Sequence, residues 1–329
     1  MKESFLNNAM NRFAKFAWGV LLYNIAVVVW GAYVRASKSG AGCGEHWPDC
    51  NGQIIPQAPT VKTMVEFTHR TTSGFAGVLV IVLLVWAFRA FAKGHIVRIC
   101  AVLSFVFIVI EGLIGAVLVK KGLVAENDSV ARALVISIHL ANTLVLLAVL
   151  ALTAWWATIK QDSGWPLQLS GNVKPAVMLG ACLLGVIGLS VTGAITALGA
   201  TLFPVNSLAE GLARDLSPRH FLESLIWIHP VAAVFFGLVM TFCVVFIGAL
   251  RTGQTLAALT KIQIGLVVLQ LLLGGVNLLL HAPVWIQLVH LLMADLVWVN
   301  LVLFTVEVLA VEKSSEPIRV EKRAVALAS

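Results

Sequence analysis

Residues 132–156 read RALVISIHLANTLVLLAVLALTAWW, with one charge at the first position and one histidine, His139, near the start. The run is too long for a strand. A bilayer core of ~30 Å takes about 20 apolar residues at helical rise. Seven further runs pass that test, near 16–36, 67–88, 98–119, 175–198, 224–248, 262–281 and 285–309. Several carry Gly and branched aliphatics, as membrane helices do. Of 329 residues, 59% are hydrophobic and 12% charged, more apolar surface than a soluble domain of this size could cover. The sequence therefore predicts an all-α integral membrane protein with eight transmembrane helices. The first run leads into a charged loop and more spans, so it is expected to remain a helix and not a cleaved leader.

Lys and Arg set the orientation. With the N-terminus inside, most of the 23 fall in inner segments, and both termini are expected on the cytoplasmic side of the plasma (inner) membrane. The net charge of +7 then reflects the inner face, not nucleic-acid binding, since the basic residues are scattered and no soluble domain exists to carry them. Two outer loops are long, 37–66 and 199–223. The inner connection 157–174 has the polar turn residues of a linker. Its two sides look alike. Gly31-Ala32 in the first helix answers to Gly193-Ala194 in the fifth, Glu111 and Gly115 in the third to Gln270 and Gly274 in the seventh, His69 to His229, and His139 to His290. The expected organisation is two pseudo-symmetric four-helix bundles, 1–160 and 161–312, followed by a charged tail, 313–329. An even number of helices per repeat gives the halves the same orientation.

Four of the eight histidines, His69, His139, His229 and His290, lie inside spans. All sit on helices running from outside to inside, a few residues past the helix start, so they share one height near the outer face. An ionisable side chain in a bilayer points to function. A lone one is as well explained by an interhelical hydrogen bond. A matched set favours pairs of imidazoles on either side of a planar iron macrocycle. Zinc would need further ligands nearby. Arg35 and Arg70 stand at the same boundary, where haem propionates need cations, although simple flanking charge is an equal explanation.

The halves differ around Glu66, three residues before His69 and on the same helix face, where the second half has Ile226. A carboxylate beside a haem edge can take up a proton or stabilise a cation while a C–H bond is oxidised; the plain alternative is a helix N-terminal acid. Glu111 is read as structural and Asp295 is given no role. Cys43 and Cys50 flank Gly-Glu-His-Trp-Pro-Asp in the first outer loop, where the oxidising side favours a disulfide. With His46 they would offer a metal three ligands and no fourth, which is the weaker reading. Cys100, Cys182 and Cys243 read as small apolar residues.

Gly31-Ala-Tyr-Val-Arg35-Ala-Ser-Lys-Ser-Gly-Ala-Gly-Cys43, Trp47-Pro48-Asp49-Cys50-Asn51-Gly52 and Glu66-Phe67-Thr68-His69-Arg70 together resemble the haem A synthase family, over nearly the whole chain. The resemblance implies oxidation of the C8 methyl group of haem O to a formyl group through hydroxylated intermediates. It implies His69 and His139 around the substrate haem, with Glu66 as the essential carboxylate. It also implies His229 and His290 as ligands of a haem b cofactor, and a Cys43–Cys50 disulfide. Some family members have a second cysteine pair between helices 5 and 6; residues 199–223 contain none. The expected partners are haem O, a haem O synthase, an electron-transfer partner, the lipid bilayer and a further copy of the chain. The competing reading is a bis-histidine cytochrome b for electron transfer, which explains the histidines but not Glu66 or the cysteine loop. A transporter would want broken helices and mid-membrane polar residues.

Overall fold

The computed structural model describes residues 2–159, 167, 172–205, 207–251 and 253–310. Most of the expected linker and the whole tail 313–329 lie outside them. Ten helices follow in order: α1 (Lys2–Ala36), α2 (Val61–Ala90), α3 (Ile96–Lys120), α4 (Val130–Thr158), α5 (Val173–Leu202), α6 (Leu208–Leu216), α7 (Phe221–Leu225), α8 (Ile228–Ala249), α9 (Gln254–Leu279) and α10 (Val284–Leu309). Eight stretches are long and apolar enough to cross a membrane, α7 and α8 together forming one, Phe221–Ala249. No strand occurs among the described residues. Helices of this length reach about 37–45 Å, enough for the hydrocarbon and the headgroup layers. They extend past the apolar runs because polar residues cap them. Thr60 accepts from Thr63 N at 3.2 Å, His95 from Val97 N at 3.1 Å and Ser129 from Arg132 N at 3.2 Å.

Two departures from the sequence reading lie around the second outer loop. A short helix, α6, forms there, too short to span. The following span is also interrupted before α8. Pro230 has no N–H, so the Ile226 carbonyl four residues earlier receives no helical bond. Thr196 of α5 donates to that carbonyl instead, at 3.3 Å. His220 begins α7 in a capping box with Glu223.

The tightest packing is toward the end of the bundle where α2 runs into α3. Phe13, Ala17 and Leu21 of α1, Val80, Leu83 and Ala87 of α2, Val97 and Ala101 of α3, and Leu147, Leu150 and Ala154 of α4 are all buried in one cluster with 297–309 of α10. α4 and α10 are the central helices. α4 packs on α1, α3, α5 and α10, and α10 on α9, α4, α5 and α1. Trp298 Nε1 of α10 donates to the buried Leu144 carbonyl of α4 at 2.6 Å. Apolar side chains on the outside, such as Phe75, Val78, Val82 and Val85 of α2 and Phe235, Leu238 and Phe242 of α8, form the surface a lipid would meet.

Arg35 crosses the same seam at the outer end. It donates from Nη1 to the Ala197 carbonyl at 2.7 Å and to Thr201 Oγ1 at 2.9 Å, and from Nη2 to Gln287 Oε1 at 3.0 Å. One guanidinium of α1 thus holds the end of α5 and the start of α10. Arg35→Ala is expected to lower stability by about 2 kcal/mol, the scale of charge-assisted bonds, read as a lower Tm in detergent. Arg35→Lys should recover only part of it, because an ammonium lacks the planar fork.

Candidate functional site

Above the tight inner core, the four spans' histidines come from α2, α4, α8 and α10. His69 lies over Gly31 of α1: a Cβ placed there would come within 2.9 Å of its Cε1. His229 lies over Gly193 of α5 in the same way, again at 2.9 Å, and His290 over Gly274 of α9 at 3.2 Å. These three glycines let an imidazole approach the neighbouring helix backbone, a use that sequence alone could not separate from ordinary small-residue packing. His139 departs from the pattern. No neighbouring side chain comes near Gly115, and His139 Nδ1 is instead 3.2 Å from Glu111 Oε1, at an angle short of a full hydrogen bond.

In the second half, the rings of His229 and His290 have their centres 6.4 Å apart and planes at 89°. Two metal–imidazole bonds of ~2 Å, together with the half-widths of two rings, span about this distance. His229 Nδ1 is 3.2 Å from the Leu189 carbonyl and 3.1 Å from Thr192 Oγ1, which leaves its Nε2 for a ligand. Gln270 Nε2 lies 3.2 Å from His290 Nε2. The Nδ1 atoms of His69 and His290 are buried without a hydrogen-bond partner among the described residues. Orphaned imidazole nitrogens suit haem iron as ligands.

Glu66 is buried, 3% exposed, at the start of α2. Its Oε2 accepts from Cys43 N at 2.8 Å, and its Oε1 accepts from Arg70 Nη2 at 2.6 Å and Nε at 3.2 Å. Arg70 Nη1 also donates to the carbonyls of His46 and Asp49, at 2.6 and 2.5 Å. Arg70 is therefore committed to Glu66 and the outer loop, and Arg35 to the seam between halves. The loop is closed by the Cys43–Cys50 disulfide, with Cα atoms 4.4 Å apart. Asn51 and Gly52, both at positive φ, turn the chain so that Cys50 and Gln53 pair through both backbone bonds. That Asn-Gly turn was readable in the sequence; the carbonyls gripping Arg70 were not. His46 contributes only its carbonyl. Asp295 is buried, and neither carboxyl oxygen has a partner. Among the described residues no cluster of three His, Cys, Asp or Glu side chains could hold a metal ion by itself.

The family model of COX15-CtaA, described as cytochrome oxidase assembly protein, matches residues 14–302. The chain belongs to this family. It is 50% identical over 291 residues to a protein of Thermus thermophilus named protoheme IX farnesyltransferase, covering 88% of this chain and 47% of that protein. It is 38% identical over 161 residues to a heme A synthase of Geobacillus kaustophilus, covering 48% of each. With a heme A synthase of an Exiguobacterium species it shares 42% identity over 105 residues, 32% of this chain and 35% of the relative. The chain thus spans about half the length, or less, of the curated relatives it matches.

Gly42 sits where a side chain would run into the Lys62 carbonyl, and its own carbonyl accepts from Thr63 Oγ1 at 2.9 Å. Gly42→Ala is expected to lift the loop off α2. Limited proteolysis should then cut between residues 37 and 60 faster than in the wild type, with the spans intact. Equal rates would show that the loop is held elsewhere.

Proposed function

We propose that this protein is a haem A synthase, a membrane oxidoreductase that converts the C8 methyl group of haem O to a formyl group. Membership of the cytochrome oxidase assembly family and the heme A synthase names of several relatives support this reading. The observation that supports it most is Glu66, buried and paired with Arg70 one turn from His69, at a position where the second half has Ile226.

In this reading His69 and His139 flank the substrate haem, and the first half, 1–160, is the reaction half. Glu66, one turn outward from His69, is the carboxylate that takes a proton or stabilises positive charge as the methyl group is oxidised. Arg70 and the Cys43 amide fix its position. The disulfide-closed loop, gripped by Arg70, covers that edge and keeps water from it. Arg35 and Arg70 put positive charge at the boundary where propionates would lie. Overall the methyl group gains its oxygen at the level of water and gives up four electrons and four protons, the electrons leaving to an external acceptor, and loss of water from the twice-hydroxylated carbon gives the aldehyde. His229 and His290 in the second half, 161–312, would hold haem b, which supplies electron transfer. The sites lie near the outer face of the plasma (inner) membrane, with both termini cytoplasmic.

The Thermus relative, only 47% of which matches this chain, is named for farnesyl transfer to protohaem IX. That supports a physical partnership with the enzyme that makes the prenylated substrate. An electron-transfer partner and self-association complete the proposal.

Co-expression with a haem O synthase in a host that makes no haem A is the direct test. Haem A and its hydroxymethyl precursor should appear in extracted haems. Folded, haem-bearing protein that leaves only haem B and haem O would instead favour an electron-transfer cytochrome b. Glu66→Gln should cut conversion by about 100-fold or more, the scale of a general acid–base group, while haem O still binds. His229→Ala and His290→Ala should each abolish one low-spin b-type spectrum; a retained spectrum would remove both residues from the cofactor site.

A further inference from the structure

Four imidazoles face the outer part of the bundle, and their partners are not alike. His229 Nδ1 meets a carbonyl and a hydroxyl. His290 meets the amide of Gln270. His69 Nδ1 meets no hydrogen-bonding group and packs over Gly31. His139 alone meets a carboxylate, Glu111 of α3, with Nδ1 3.2 Å from Oε1.

That carboxylate is held from three sides by one face of α4. Asn142 Nδ2 donates to Oε2 at 2.5 Å and to the Phe107 carbonyl at 3.0 Å. Thr143 Oγ1 donates to Oε1, and the same hydroxyl lies 3.0 Å from the His139 carbonyl. His139, Asn142 and Thr143 are spaced i, i+3 and i+4, so all converge on the one side chain. A residue placed only to join two helices needs one such bond. In the second half, the corresponding positions after His290 are Met293 and Ala294, which cannot hold an acid.

We infer that Glu111 is a positioning residue for His139, turning its Nδ1 toward the protein and making its Nε2 a stronger donor to the iron of the substrate haem than any other histidine of the four. This rests on the functional reading above. A carboxylate held against one imidazole nitrogen raises the basicity of the other through its charge, and basic axial ligands favour the more oxidised iron. Neutral partners, as around His229 and His290, leave iron easier to reduce, which suits an electron carrier. The single change from Gln270 to Glu111 between the halves would thus separate a site that oxidises from one that passes electrons.

The test is a spectroelectrochemical titration of the purified full-length protein loaded with haem B, which needs no turnover. Wild type is expected to show two transitions, one of them lost in His139→Ala. Glu111→Gln should keep its haem content and move that transition to a more positive potential, leaving the other in place. Glu111→Asp should restore part of the shift, and Gln270→Glu should move the other transition to a more negative potential. Thr143→Val, which removes one hold on the acid, should give a smaller positive shift and serves if Glu111→Gln does not fold. Unmoved potentials at full haem content would overturn the inference alone. If His139→Ala loses no transition, the functional reading fails first and takes the inference with it.

Discussion

Within a bilayer a polar side chain has no water to turn to, so other parts of the protein must satisfy it. Much of this structure follows from that. Asn300 Nδ2 of α10 donates to the Leu259 carbonyl at 3.0 Å and to Gln263 Oε1 at 2.7 Å, both on α9. Asn142 ties α4 to α3, and Trp298 ties α10 to α4. Each bond fixes the height of one helix against the next, which apolar contact alone would leave free to slide. At the outer end the same rule governs charge, and Arg35 and Arg70 each gather several acceptors. Asp295 departs from it among the described residues, buried with neither oxygen hydrogen-bonded, and so do the Nδ1 atoms of His69 and His290.

Rigid packing near the inner ends and polar ties near the outer ends divide the labour. The inner cluster sets the spacing of the helices. The histidines, carried above it, stay less enclosed, with the His139 side chain 28% exposed. The outer loop is bound to the helix that carries His69, through Glu66, Arg70 and Thr63. Any movement of that loop is therefore felt at the first turns of α2.

The spans and the Cys43–Cys50 pair were legible because length, composition and position along the chain are local properties. Helix ends ran past the apolar runs because capping depends on polar residues that a hydropathy reading discounts, as at Thr60 and Ser129. The break before α8 was signalled by Pro230, but its rescue by Thr196 needed the neighbouring helix. Arg35 and Arg70 were read as boundary cations. The i,i+4 spacing makes Glu66 a readable partner for Arg70, but the His46 and Asp49 carbonyls and the Ala197, Thr201 and Gln287 acceptors of Arg35 are brought together only by folding. Glu111 looked structural for the same reason: its three partners lie on another helix.

The seam between α4 and α10 has a consequence for how the chain could be divided. Arg35 sits on one side of the seam with its acceptors on the other, and Trp298 does the reverse. Two fragments severed at the inner connection would each carry an unfinished edge. They would also be obliged to choose each other over themselves, because two copies of one fragment bring the same donor and lack its acceptors.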